Sequence, residues 1–256
     1  MDHEARILNI PDLLNTRDLG GLPIPIGGGE TRFGRIVRGP GVDSLQQPGV
    51  DALIDGLGIT REIDLRDKHS GQLGPESMFG RQVDERHQIS AMREDHQAEA
   101  FKRYEREFEW DHASDYLQAL TSSSGVPEIL GLLADDSGRP TYIHCNVGKD
   151  RTGTICGVVL SAVGVPRHAV VEDFALSERD MDEWWERAMA ASEGARQFFG
   201  SANATSVRTF KSAAPEIMEK MLDGLDEKYG SSADYIRSLD NGEAILDGLR
   251  RKLVDA

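Results

Sequence analysis

The run TYIHCNVGKDRTGTICGVVLSAVG, residues 141–164, constrains this chain more than any other feature. A short β-prone stretch leads straight into Cys145, and an apolar helical stretch leaves the loop that follows. Strand, glycine-containing loop and buried helix in that order put an anion site at the strand's C-terminal end. Within the loop Cys145 is followed six positions later by Arg151, with Gly148 between them and Thr152 just after. The five intervening backbone N–H groups, those of Asn146, Val147, Gly148, Lys149 and Asp150, would curl around phosphoryl oxygens at a helix N-terminus. A planar guanidinium at Arg151 would fork onto two of those oxygens, which lysine cannot do. Cys145 is then the candidate nucleophile. A buried cysteine near a chance arginine is the plain alternative. His144 before the cysteine and glycine inside the loop disfavour it, because glycine is only about 7% of average usage.

With 256 residues the chain is long enough for one large domain, read here as 1–256. The 29 basic and 44 acidic residues give a net charge of −15, which argues against nucleic-acid binding and against adhesion to acidic membranes. Any phosphorylated substrate must be held by local positive groups against that field. Two cysteines, Cys145 and Cys156, form no disulfide framework and fit a reducing compartment. The start, MDHEARILNI, lacks a signal-peptide pattern, and ICGVVLSAVGV is too short to span a bilayer. A cytoplasmic protein without stable membrane insertion is expected, and export without a cleaved signal stays open. The seven histidines follow no HExxH spacing and there is no CxxC, so neither metal nor cofactor is expected.

Along the chain, residues 7–38 read as short strands with a turn at Gly27–Gly29. Pro48 and Gly58 bracket a helix, and ITREIDLR reads as a strand ending at Asp64–Arg66. Residues 71–81 are loop-like, and RQVDERHQI reads as another strand. Helical spacing covers 93–120 with a break near Asp111, then Val126–Ala134. Beyond the loop everything reads as helix: PRHAVVEDFALSERD, MDEWWERAMAASEGARQFF, APEIMEKMLDGLDEKYG and GEAILDGLRRKLV. The fold class expected is α/β, a central β-sheet flanked by helices, with a helical C-terminal part.

HCxxGxxR followed by threonine resembles the signature of cysteine-dependent protein-tyrosine phosphatases. HCxxGKDRTG together with NTRDLGG at 15–21 and IDLR at 63–66 is similar to the bacterial tyrosine-phosphatase-B-like group. GRIVRG at 34–39, EDFALS at 172–177 and YGSSADYI at 229–236 follow in order, so the likeness spans nearly the whole chain. It implies the cysteine-dependent phosphatase fold and action on phosphotyrosine, often also on phosphoserine, phosphothreonine or phosphoinositides. Val147 departs from the alanine more usual in the group; only packing is expected to change. The resemblance also implies that the Thr152 hydroxyl bonds the sulfur, and that a helical lid lies within 180–215. A packed helix anchored by Trp184, Trp185, Phe198 and Phe199 is the simpler reading of that segment.

The expected roles are these. Arg151 binds phosphate, most strongly in the transition state. His144 organises the loop from behind, and Cys156 is core. The general acid is Asp150, where a bound dianion favours the protonated form, with Asp64 as runner-up. Lys149 either meets an extra phosphate on an inositol ring or is a solvated partner of Asp150. Arg17 and Asp18 are expected to pair with each other near the loop. The substrate is a phosphorylated protein or a phosphoinositide. A phosphate-binding pseudoenzyme competes from another class. Rhodanese-type loops are one residue shorter, and low-molecular-weight phosphatases carry their loop near the N-terminus.

Overall fold

The computed structural model describes residues 3–67, 77–91, 112–135, 138–191 and 204–254, with 193, 196 and 200. Five strands form one sheet: β1 (Arg17–Asp18), β2 (Ile36–Gly39), β3 (Arg61–Asp64), β4 (Glu85–Gln88) and β5 (Thr141–His144). Their order is β1-β2-β5-β3-β4; β1 is antiparallel to β2 and every other pairing is parallel. Parallel neighbours need crossovers. They are supplied by α1 (Gln47–Asp51), which runs on as a wider turn to Gly56, and by α2 (His112–Ser122) and α3 (Val126–Ala134).

Helices cover both faces of such a sheet, so side chains on both faces are buried. Ile36, Ile63 and Ile143 face one apolar cluster, whereas their neighbours Val37 and Tyr142 face another with Leu53, Ile59 and Phe79. The charged residues of β3 are buried as well, and each has a partner. Arg61 meets Asp135 and Glu85, Glu62 meets His144, and Asp64 meets Arg66.

After β5 the chain is helical: α4 (Asp150–Ala162), α5 (Arg167–Ala175), α6 (Met181–Ala191), α7 (Ala204–Lys211), α8 (Pro215–Tyr229), α9 (Ser232–Arg237) and α10 (Gly242–Leu253). Helix α4 is buried over most of its length, and Met218, Met221, Leu222 and Leu225 of α8 share its core. In α6 only Met181 is buried. Trp184 and Trp185 lie against Phe210 of α7, each with ring centroids 5.8 Å apart, so the tryptophans anchor on α7 and not on the sheet core. Phe198, Phe199 and 92–111 lie outside the described residues. No helix among the described residues is long and apolar enough to cross a membrane.

Candidate active site

Strands β2, β5 and β3 end in register, with Gly39, His144 and Asp64 side by side. Cys145 therefore leaves the middle strand at the sheet's C-terminal edge, and the loop it opens closes into α4 at Asp150. Gly148 makes that closure possible. Its φ is +74°, and a Cβ there would run into the Gly39 carbonyl. Gly148→Ala is expected to cost at least about 1–2 kcal/mol from the left-handed backbone alone. Most phosphate release should go with it; urea unfolding and a turnover assay check both.

The loop brings Cys145, Arg151 and Thr152 together as their spacing requires. Cys145 is buried, and burial by itself pushes a thiol up. The Arg151 charge and hydrogen bonds from the Thr152 hydroxyl and amide nevertheless hold Cys145 below the ordinary thiol value. Among the described residues neither the Thr152 hydroxyl nor Nη1 of Arg151 meets an oxygen or nitrogen partner. Cys156 is the reverse case: burial pushes its thiol up to about 11, as a core residue should behave.

His144 lies fully buried behind the cysteine. Its Nε2 meets Glu62 Oε1 at 2.9 Å and its Nδ1 meets the Cys145 carbonyl at 3.1 Å. Burial would lower the imidazole pKa, but Glu62 and Asp64 raise it on balance. Held between the Glu62 carboxylate and the Cys145 carbonyl, His144 braces the loop. Glu62, Asp64 and His144 come within 4.8 Å of one another, close enough for a cation. Asp64, however, gives both oxygens to Arg66 at 2.8–3.1 Å, and Glu62 is engaged with His144. The trio is a hydrogen-bonded wall. Burial would raise the Asp64 carboxyl, yet His144 and Arg66 hold it low.

Asp150 sits at the loop's rim with 29% of its side chain exposed, against none for Asp64. The Tyr116 hydroxyl of α2 donates to Asp150 Oδ1, and Lys149 Nζ lies 3.6 Å from the same oxygen. Burial pushes this carboxyl up, but Lys149, His112 and the Tyr116 bond outweigh it and hold Asp150 below the ordinary carboxylate value. Tyr116, held neutral by burial and by Asp150, is a site residue that sequence reading missed. It was legible only as one apolar position on a helical face.

Two expectations are corrected. Lys149 is not solvated: it is fully buried, donating to the Phe210 carbonyl in the last turn of α7 and to the Ser212 carbonyl just past it, with its ammonium 5.2 Å from the Phe210 ring. Nor do Arg17 and Asp18 pair, because neighbours on a strand point to opposite faces. Asp18 instead accepts from the Gly20 and Gly34 amides at 2.7 Å each, and burial raises its pKa. Arg17 turns to Asp173 of α5, Nε to Oδ1 at 3.1 Å. Burial and nearby Arg38 bring its guanidinium down to about 10. The same carboxylate takes Arg38 Nη1 at 2.8 Å and Arg6 Nη2. One buried acid thus gathers three buried guanidiniums.

A depressed thiol, an arginine closing the loop and a helix N-terminus at a parallel sheet's C-terminal edge define a cysteine-dependent phosphatase site. The chain belongs to the tyrosine phosphatase family, whose profile matches residues 8–255. A triple specificity protein phosphatase PtpB of Mycobacterium tuberculosis is 33% identical over 135 residues, 49% of this chain and 47% of that protein. That alignment spans about half the length of the relative. A tyrosine-protein phosphatase of Nostoc commune is 25% identical over 230 residues, 86% of this chain and 74% of its own. Among solved structures, the core catalytic domain of a PP-IP phosphatase from S. cerevisiae superposes with a TM-score of 0.39 at 13% identity. It covers 79% of this chain and 93% of its own.

Proposed function

We propose that this chain hydrolyses phosphotyrosine, with phosphoserine and phosphothreonine as further substrates, through a phosphocysteine on Cys145. The observation that carries the reading is the geometry of the loop: Cys145 follows β5 at the sheet's C-terminal edge, left-handed Gly148 turns the chain, and Arg151 and Thr152 follow in the first turn of α4. In the first step Sγ attacks phosphorus, the bond to the leaving oxygen breaks, and that oxygen takes a proton from Asp150. In the second step water attacks phosphorus, gives its proton to Asp150 and releases the thiolate, which Thr152 stabilises by hydrogen bonding. Arg151 forks onto two phosphoryl oxygens throughout.

Asp150 suits the acid role better than Asp64, because it is part-exposed at the rim whereas both Asp64 oxygens are taken by Arg66. A phosphoryl dianion beside Asp150 raises its pKa and favours the protonated form that the first step needs. A protein substrate is favoured over a phosphoinositide, since Lys149 holds its ammonium on the Phe210 and Ser212 carbonyls. Two free cysteines support a cytoplasmic location.

Phosphate release from phosphotyrosine, phosphothreonine and phosphoinositide substrates in EDTA is the direct test. Turnover should be highest on phosphotyrosine and indifferent to the chelator. Asp150→Asn should lower kcat by about 10²–10⁴-fold on phenyl phosphate and far less on p-nitrophenyl phosphate, whose leaving group needs little protonation. The same leaving-group pattern in Asp64→Asn, with Asp150→Asn near wild type, would reverse the assignment.

A further inference from the structure

The phosphate loop carries five successive carbonyls, and each has a donor outside the loop. The Cys145 carbonyl meets His144 Nδ1 at 3.1 Å, and that of Asn146 accepts from the Gly41 amide at 3.0 Å. The Val147 carbonyl accepts from Asn15 Nδ2 at 2.9 Å, and that of Gly148 from Arg38 Nη2 at 2.7 Å. Lys149 closes the series with the first α4 bond, to the Gly153 amide at 2.7 Å. A trans peptide is planar, so the C=O of one residue and the N–H of the next point in opposite directions. Donors that pull these carbonyls outward therefore turn the amides of residues 146–150 inward, toward the place where phosphoryl oxygens sit.

Two of the five donors are side chains held by a single buried acid. Arg38 divides its guanidinium between Gly148 O and Asp173 Oδ2, at 2.7 and 2.8 Å. Asn15 stands in the left-handed region at φ +54°, and its Oδ1 accepts from Arg17 Nη1 at 2.6 Å. Arg17 in turn is fixed by the Asp173 carboxylate, the Asp173 carbonyl and the Ser177 hydroxyl. Because Oδ1 is engaged by Arg17, the Asn15 amide nitrogen faces Val147. The arrangement assigns a purpose to two sequence pieces that the chemistry leaves unused, NTRDLGG at 15–21 and EDFALS at 172–177.

We infer that Asn15 and Arg38, set by Asp173, are positioning residues that aim the Gly148 and Lys149 amides at the phosphoryl group. This rests on the loop being a phosphate site, as proposed above. It extends that reading to residues far from the reacting atoms in sequence.

Asn15→Asp tests it most cleanly. The substitution is isosteric, tolerates positive φ and keeps an acceptor for Arg17, but it sets a lone pair against the Val147 carbonyl. Arg38→Lys is the second variant, since one ammonium replaces a fork that serves Asp173 and Gly148 at once. Orthovanadate and inorganic phosphate binding are measured by calorimetry well below the melting temperature, alongside kcat on an aryl phosphate. Removing a single oxyanion donor lowers kcat by about 10²–10³-fold. A misaimed donor should cost each variant about tenfold or more in kcat and in orthovanadate affinity. A purely structural role would lower the melting temperature and leave the orthovanadate affinity of the folded protein within about twofold of wild type; that result overturns the inference. If wild-type protein binds neither anion, the phosphate reading itself falls, and the inference with it.

Discussion

Replacing Cys145 with serine is expected to lower phosphate release by on the order of 10⁴-fold or more while leaving phosphate binding intact. Serine is close in size, so the loop amides and Arg151 keep their places. What disappears is the thiolate. Burial alone would keep the Cys145 thiol protonated; the Arg151 charge comes next in size and outweighs it together with Thr152. A serine hydroxyl starts from a far higher pKa, and the same surroundings cannot ionise it near neutrality. The assay is phosphate release in EDTA with parallel calorimetry of phosphate binding. Residual turnover above about one per cent of wild type would mean that another nucleophile acts. Iodoacetate inactivation gives the matching pH test. Its rate should rise with pH to a midpoint below that of an ordinary thiol, and Arg151→Ala should move the midpoint upward, because Arg151 is the strongest influence holding it down.

These residues were legible in the sequence because they are local. Cys145, Gly148, Arg151 and Thr152 lie within eight positions, and a strand, a left-handed glycine and a helix start fix their geometry with little help from the rest of the chain. The sheet was legible for the same reason, since β3, β4 and β5 each announce themselves in a few residues. Long-range partners were not. Arg6, Arg17 and Arg38 reach Asp173 across 167, 156 and 135 positions, and nothing in local periodicity links them. Arg17 beside Asp18 even suggests the wrong pair, because adjacency on a strand separates side chains to opposite faces. Lys149 misled in a similar way: a lysine in an acidic chain reads as solvated until the segment after α7 is seen lying over it. Helix α7 falls inside the span read as helical, but its bounds were not legible, because eight residues with two large apolar anchors, Val207 and Phe210, give too weak a period. Helix α9 was likewise not delimited on its own, although its cap was readable, Ser231 accepting from the Asp234 amide.

The largest effect on stability is expected at Asp173. Removing one partner of a buried ion pair costs about 3–5 kcal/mol because the other charge is left uncompensated. Asp173→Ala strands three guanidiniums, and a domain's total stability is only about 5–15 kcal/mol. The variant should therefore lose most of its stability in urea and fail to fold at 37 °C. Asp173→Asn keeps the shape and one acceptor, so its loss should be smaller yet still clear. The positive excess makes a further prediction. Among the described residues Arg6 Nε and Nη1 have no partner, so Arg6→Met should restore part of what Asp173→Asn loses, by removing one of three like charges. The pH dependence has a definite sign. Burial would raise the Asp173 carboxyl, but Arg17, Arg38 and Arg6 depress it far below the unfolded value of about 3.9. A depressed carboxylate contributes stability that is fully present above its unfolded pKa and is lost as pH falls toward its folded one. The wild-type advantage over Asp173→Asn should hence be flat from about pH 5 to 8 and shrink steadily below about pH 4. A loss under about 1 kcal/mol in Asp173→Ala at neutral pH would mean that the guanidiniums find other compensation, and that the carboxylate does not hold the loop's back wall together.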